Sequence, residues 1–140
     1  MLFPKKVKHR KWFTGREHPD KVGNETRGIK LSFGSHGLKA VTAGRITSNQ
    51  IESARKVVSR YAAKTGKVWI RVFPDRPYTQ KPAEVKMGKG KGDPQGFVAV
   101  IRPGRILFEI DGVSNEDAIK ALKGAGVKIS VKTKVISRVN

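Results

Sequence analysis

The stretch "TSNQIESARKVVSRYAAKTG", Thr47 to Gly66, carries a start signal, an apolar face and a stop signal together. Thr47 and Gln50 stand at the T-x-x-Q spacing of a capping box, in which each residue satisfies a backbone N–H that the first helical turn leaves open. Ile51, Ala54, Val58, Tyr61 and Ala62 follow at three- and four-residue steps and so share one side of a helix. Gly66 stands where a C-terminal glycine ends such an element. The spacing predicts a helix over 48–65, with Lys56, Arg60 and Lys64 on its outer side. A helix with one apolar face needs a surface to cover, and its neighbours in sequence are short alternating segments.

"IKLSF" (29–33) alternates with period two and reads as a strand, "GSHG" as a turn and "LKAV" as a second strand. "KVWIRVF" places Val68, Ile70 and Val72 on one side and Trp69, Arg71 and Phe73 on the other. "PDRPYTQKP", with three prolines, breaks regular structure, and "AEVKM" fits a short strand. "FVAVI" and "RILFEI" flank the turn signal "RPG" and predict a hairpin. Ser114 caps a shorter helix through "NEDAIKALKG", ended by Gly124 and Gly126. In "VKISVKTKVISR" the buried side is Val127, Ile129, Val131, Thr133 and Val135, leaving Lys128, Lys132 and Lys134 outside. The order β-β-α-β-β-β-β-α-β predicts an α+β fold, a mixed sheet with two helices. Residues 28–140 form one domain and residues 1–27 a basic N-terminal arm too poor in apolar surface to order by itself.

Charge narrows the function. Thirty basic residues against eleven acidic ones give +19 at pH 7. Such an excess destabilises a compact chain through self-repulsion unless a polyanion neutralises it. It is concentrated at both ends: Lys5, Lys6, Lys8, Arg10, Lys11 and Arg16 precede any acid, and no acid follows Asp117. Nucleic acid is the natural partner. An anionic membrane is the rival, but no segment joins a basic face to a broad apolar one, and the longest apolar run is "FVAVI". "MLFPKKVKHRKWF" lacks the apolar core of a secretory signal, so the mature chain is expected to start there. The absence of cysteine excludes disulfides and cysteine-ligated zinc.

Catalytic constellations are weak. His9, His18 and His36 form no metal-ligand spacing. Ser35 and His36 are adjacent in an extended turn and should point apart, and Asp75, Glu84 and Asp93 have no spacing that demands acid–base work. "KMGKGKGD" (86–93) is no Walker loop, because Asp93-Pro94 follows where a helix should start. Its chemistry is simpler. Gly88, Gly90 and Gly92 let the backbone come close to phosphate or sugar, while Lys86, Lys89 and Lys91 supply mobile positive charge. Trp12 and Phe13, within the arm, either stack on a base or pin the arm to the domain. The candidate contacts are therefore the arm cations with Trp12, Lys56 and Arg60 on the helix, Arg71, the three loop lysines and three loop glycines, and Lys128, Lys132 and Lys134. Contact through phosphates and shape fits them better than base-edge readout.

"RGIKLSFGSHGLKAV", "GRITSNQIESAR", "GKVWIRVFPDRP", "KPAEVKMGKGKG" and "RPGRILFEIDGV" together resemble the bacterial large-subunit ribosomal protein L-sixteen family, from about Pro4 to Arg138. The resemblance implies a hammerhead-type α+β fold, no enzymatic activity and no cofactor. It implies a monomer within the ribosome, cytoplasmic with an organellar one as the alternative, among neighbouring ribosomal proteins. Its place there is on large-subunit ribosomal RNA beside the A-site tRNA, with a role in late subunit assembly. The loop that reaches toward tRNA in that family corresponds to residues 77–96, with Lys86 where many members carry arginine. A free-standing, sequence-tolerant nucleic-acid-binding protein is the alternative.

Overall fold

The structure is a computed structural model that describes residues 1–13, 18–84, 88 and 90–138. Among the described residues, seven strands and two α-helices follow a short 3-10 turn at Pro19–Lys21. The strands are β1 (His36–Ala40), β2 (Gly44–Thr47), β3 (Lys67–Ile70), β4 (Arg76–Gln80), β5 (Asp93–Ile101), β6 (Ile106–Asp111) and β7 (Thr133–Ser137). The helices are α1 (Ser48–Ala62) and α2 (Asn115–Val127). The fold is α+β, and the strands divide between two antiparallel sheets, ordered β3-β6-β1-β7 and β2-β5-β4.

α1 starts as its sequence dictates. Gln50 N–H donates to Thr47 Oγ1 at 3.2 Å, and Thr47 N–H donates to Gln50 Oε1 at 3.0 Å. Ile51, Ala54, Val58 and Ala62 are buried, whereas Tyr61, expected on the same face, is 42% exposed at its edge. The helix ends three residues before the expected 65. The chain leaves it through Ala63 at φ 51, and Gly66 N–H returns to the Ala62 carbonyl at 2.8 Å. A Cβ on Gly66 would lie 2.7 Å from that carbonyl oxygen, so close approach, more than a helix stop, requires glycine there.

Ser114 caps α2 through its hydroxyl, which accepts from Asp117 N–H. The two glycines expected to end that helix lie inside it. A Cβ on Gly124 would stand 2.9 Å from Val57 Cγ1 of α1, and one on Gly126 2.5 Å from Thr133 Oγ1 of β7. They let α2 settle against both neighbours. Val127, expected on the inner side of the last strand, is the final residue of α2 and 81% exposed. Ile129 and Val131 are buried as expected, and β7 begins only at Thr133.

The segment 29–33 is not a strand. β6 runs buried from Ile106 to Ile110 through the middle of the four-stranded sheet. Directly paired residues share a face, so Leu38, Phe108 and Ile70 point to the helices while Gly37, Glu109 and Trp69 point away. Residues 32–34 lie over that second face: Glu109 Oε1 accepts from the N–H groups of Ser32, Phe33 and Gly34 at 2.9, 3.0 and 3.1 Å. A single carboxylate thus takes the place of a ladder. Phe33 stacks on Trp69 at 5.8 Å between centroids.

Nor do "FVAVI" and "RILFEI" form a hairpin. β5 belongs to the three-stranded sheet and β6 to the other, and the turn at 102–105 carries the chain between them. The true hairpin is β4–β5, paired from Arg76↔Val98 to Gln80↔Asp93. β4 contains Pro77, which was expected to break regular structure; as the edge of its sheet, β4 can forgo a ladder donor. Of the short strand expected at 83–87, Ala83 and Glu84 lie in a turn and the rest falls outside the described residues.

Candidate nucleic-acid interface

The β4–β5 hairpin holds up the glycine–lysine tract. Gly88 and Gly90 adopt φ 109 and φ 105, a region that strains any residue with a Cβ, although nothing lies within 4 Å to obstruct one. Gly92 is demanded by space instead, since a Cβ there would meet the Gln80 carbonyl at 2.9 Å. The two demands are separable: one sets the path of the loop, the other closes the hairpin beneath it. Lys81 Nζ donates to the Gly88 carbonyl across the tip.

The N-terminal arm meets this hairpin. Lys91 Nζ donates to the Trp12 carbonyl and sits 4.6 Å from the Phe13 ring centroid. Lys11 Nζ donates to the Lys91 carbonyl at 3.2 Å, and the Arg76 guanidinium lies over the Trp12 ring at 5.2 Å. Of the two roles open to Trp12 and Phe13, these contacts supply the pinning one. Further back, Ser48 Oγ donates to the Leu2 carbonyl, and Leu2 packs on the core. The second half of the arm is tied as well, Glu25 N–H donating to the Pro103 carbonyl and the Arg105 guanidinium to that of Arg27.

Lys5, Lys6, Lys8 and Arg10 are exposed and Lys11 is half-buried. Lys56 and Arg60 line the outer side of α1, and Lys128, Lys132 and Lys134 are exposed around the end of α2 and the start of β7. Arg16, Lys86 and Lys89 lie outside the described residues. Arg71 differs from the rest. Its guanidinium pairs with Glu109 Oε2 at 2.5 Å, donates to the Lys30 carbonyl at 3.3 Å and lies over the Phe33 ring. Burial pushes the Glu109 carboxyl up, but the N–H of Gly34, the Arg71 guanidinium and the N–H groups of Phe33 and Ser32 outweigh it and hold the group below its usual range. This arginine is built into the fold.

Ser35 and His36 do touch, contrary to the expectation that adjacent side chains diverge there: Ser35 Oγ lies 2.9 Å from His36 Nδ1. His36 Nε2 lies 2.6 Å from Asn115 Oδ1. His36 is buried and the chain joins β1 to the first turn of α2, so the contact is a clasp between elements. Among the described residues no group of His, Asp and Glu could hold a metal ion, and no helix is long and apolar enough to cross a membrane.

Four cations were missed by sequence reasoning. Arg45, Arg76, Arg102 and Arg105 line a groove of about 730 Å³ together with Trp12, Phe73 and Asp75. Arg45 and Arg76 are far apart in sequence and meet through the pairing of β2, β5 and β4, while Arg102 and Arg105 share the turn that follows β5.

Comparison with known proteins points to one family. Residues 4–136 match the family model described as Ribosomal protein L16p/L10e. The chain is also 54% identical over 138 residues to the large ribosomal subunit protein uL16 of Sphingopyxis alaskensis (strain DSM 13593 / LMG 18877 / RB2256). That alignment covers 99% of this chain and 94% of the relative. A hairpin with a glycine–lysine tip and an arm rich in lysine suit a ribosomal protein, and the family is structural and non-enzymatic. The chain belongs to the ribosomal protein L16p/L10e family.

Proposed function

We propose that this chain is a structural constituent of the large ribosomal subunit, binding ribosomal RNA through its arm and its β4–β5 hairpin and supporting subunit assembly. The observation that carries the reading is the junction of Lys91 with Trp12 and Phe13, which joins two basic segments, the arm and the hairpin, into one surface. Lys5, Lys6, Lys8 and Arg10 then neutralise phosphates along the arm, and Gly88 and Gly90 let the hairpin tip lie close to an RNA backbone. Lys86 and Lys89 add charge to the same tract of sequence, and Lys56, Arg60, Lys128, Lys132 and Lys134 serve peripheral contacts. The hairpin is the element we assign to the neighbourhood of the A-site tRNA. The 54% identity to a large-subunit protein supports the subunit assignment.

Sedimentation of a cell extract through a magnesium-containing gradient tests this reading. The protein should travel with the large subunit and leave it only at high salt. Recovery at the top of the gradient would favour a free nucleic-acid-binding protein instead.

A further inference from the structure

We propose that the arginine-lined groove binds an unpaired RNA strand, as a site that is distinct from the tip glycines and reaches Lys91 of the hairpin at its far end. The inference rests on the RNA-binding reading above but assigns it a second location and a different form of RNA. Arg45 and Arg102 are exposed at the rim, whereas buried Val72, Ala99 and Ile101 contribute apolar lining. A second depression, of about 420 Å³, shares Trp12, Arg45 and Arg76 with the first and continues to Tyr78 and Lys91. The two form one track with guanidinium groups along it and an ammonium at its far end.

The track suits a single strand better than a duplex. Unstacked bases expose apolar faces that aromatic side chains can cover, and their phosphates remain available to cations. A double-stranded A-form helix hides its bases and presents a broad convex surface, recognised chiefly by shape. Trp12 and Phe73 are 40% and 46% exposed, so each offers ring surface at the groove. Asp75, the carboxylate in the lining, repels phosphate and accepts from a hydroxyl or amino group, which fixes which side of a nucleotide faces it.

The walls are rigid. Ser130 Oγ donates to the Arg45 carbonyl at 2.7 Å, and Arg45 pairs with Val100 in the sheet. Arg105 is held by bonds to the carbonyls of Arg27 and Arg71, at 3.3 and 3.2 Å. Its N–H also donates to the Arg102 carbonyl. Binding therefore asks little reordering of the protein.

The test uses the full-length protein with a short oligouridylate and, separately, an RNA duplex of equal length. Arg45→Gln with Arg102→Gln should lower the logarithmic salt slope for the single strand by about 1.4, and its affinity on the order of tenfold at physiological salt. Duplex affinity should hold. Arg45→Lys with Arg102→Lys should keep the slope, which separates a missing charge from a failure to fold. In a Trp69→Phe background, Trp12 fluorescence should change with the oligouridylate and not with the duplex.

Unchanged single-strand binding in the glutamine variant, with duplex binding intact, would overturn the groove and leave the proposed function standing. Equal losses for both RNAs would also overturn it. Competition by polyglutamate as strong as that of RNA would mean that the groove reads charge alone, against the assignment. A wild-type protein that binds neither RNA would remove both proposals.

Discussion

Arg71 and Lys91 are both cations beside aromatic rings, yet their surroundings give them opposite tasks. Arg71 lies in the four-stranded sheet's territory, paired with a fully buried carboxylate whose other oxygen gathers three backbone N–H groups. Lys91 is exposed beside the hairpin tip, with a carbonyl and a ring as its neighbours. The first charge is neutralised inside the molecule and shapes it. The second adds to the chain's excess and attracts a polyanion. Net charge alone does not separate these tasks; the presence of a fixed counter-charge does.

The largest effect should come from removing that counter-charge. Glu109→Ala strands the Arg71 guanidinium and leaves three N–H groups without their acceptor, so it should cost about 3–5 kcal/mol in urea unfolding. A loss under about 1 kcal/mol would show that water replaces the carboxylate at little expense. The pH dependence follows from the depressed Glu109 value. Because the folded group is more acidic than the unfolded one, its stabilisation is present above the unfolded value and fades as pH falls through the folded one. Glu109→Gln should flatten that acid limb while leaving the salt slope of RNA binding unaltered.

Next in size is the contact between the helices. Gly124→Ala sets a Cβ against Val57 and should destabilise by about 1–2 kcal/mol, because overpacking exceeds the gain in helix propensity. In a Val57→Ala background the same change should stabilise by about 0.5–1 kcal/mol, the propensity gain alone. Additive effects in the double variant would refute close packing as the reason for this glycine. Thr47→Ala, which removes one half of the capping box, should cost about 1 kcal/mol.

These cases also mark what the sequence discloses. The α1 start was legible because Thr47, Gln50 and the apolar face are all local. Gly124 was misread as a stop because its reason, Val57, lies on another helix. Ile29, Leu31 and Phe33 alternate like a strand, but the N–H groups of Ser32, Phe33 and Gly34 go to Glu109, far along the chain. β4 was missed because Pro77 signals a break unless the strand is known to be an edge. The interface divides in the same way. The arm and the glycine–lysine tract are runs of charge, visible in sequence, whereas the groove joins Arg45 and Arg76, far apart in sequence, to the Arg102–Arg105 turn through sheet pairing.

The smallest effect on stability is expected where the effect on binding is clear. Lys89→Ala with Lys91→Ala removes two cations from the glycine–lysine tract, of which Lys91 is exposed. Unfolding free energy should change by less than about 0.5 kcal/mol, as for exposed sites generally. The logarithmic salt slope of RNA binding should nevertheless fall by about 1.4–1.8, one increment for each phosphate no longer neutralised. An unchanged slope would mean that the tip lies slack beside RNA. A stability loss comparable to that of Glu109→Ala would mean that the Lys91 contacts to Trp12 and Phe13 hold the fold, and the contrast between the two regions would collapse. Intact stability with a reduced slope would mean that the same pairing of cation and ring serves the fold in one place and the partner in the other.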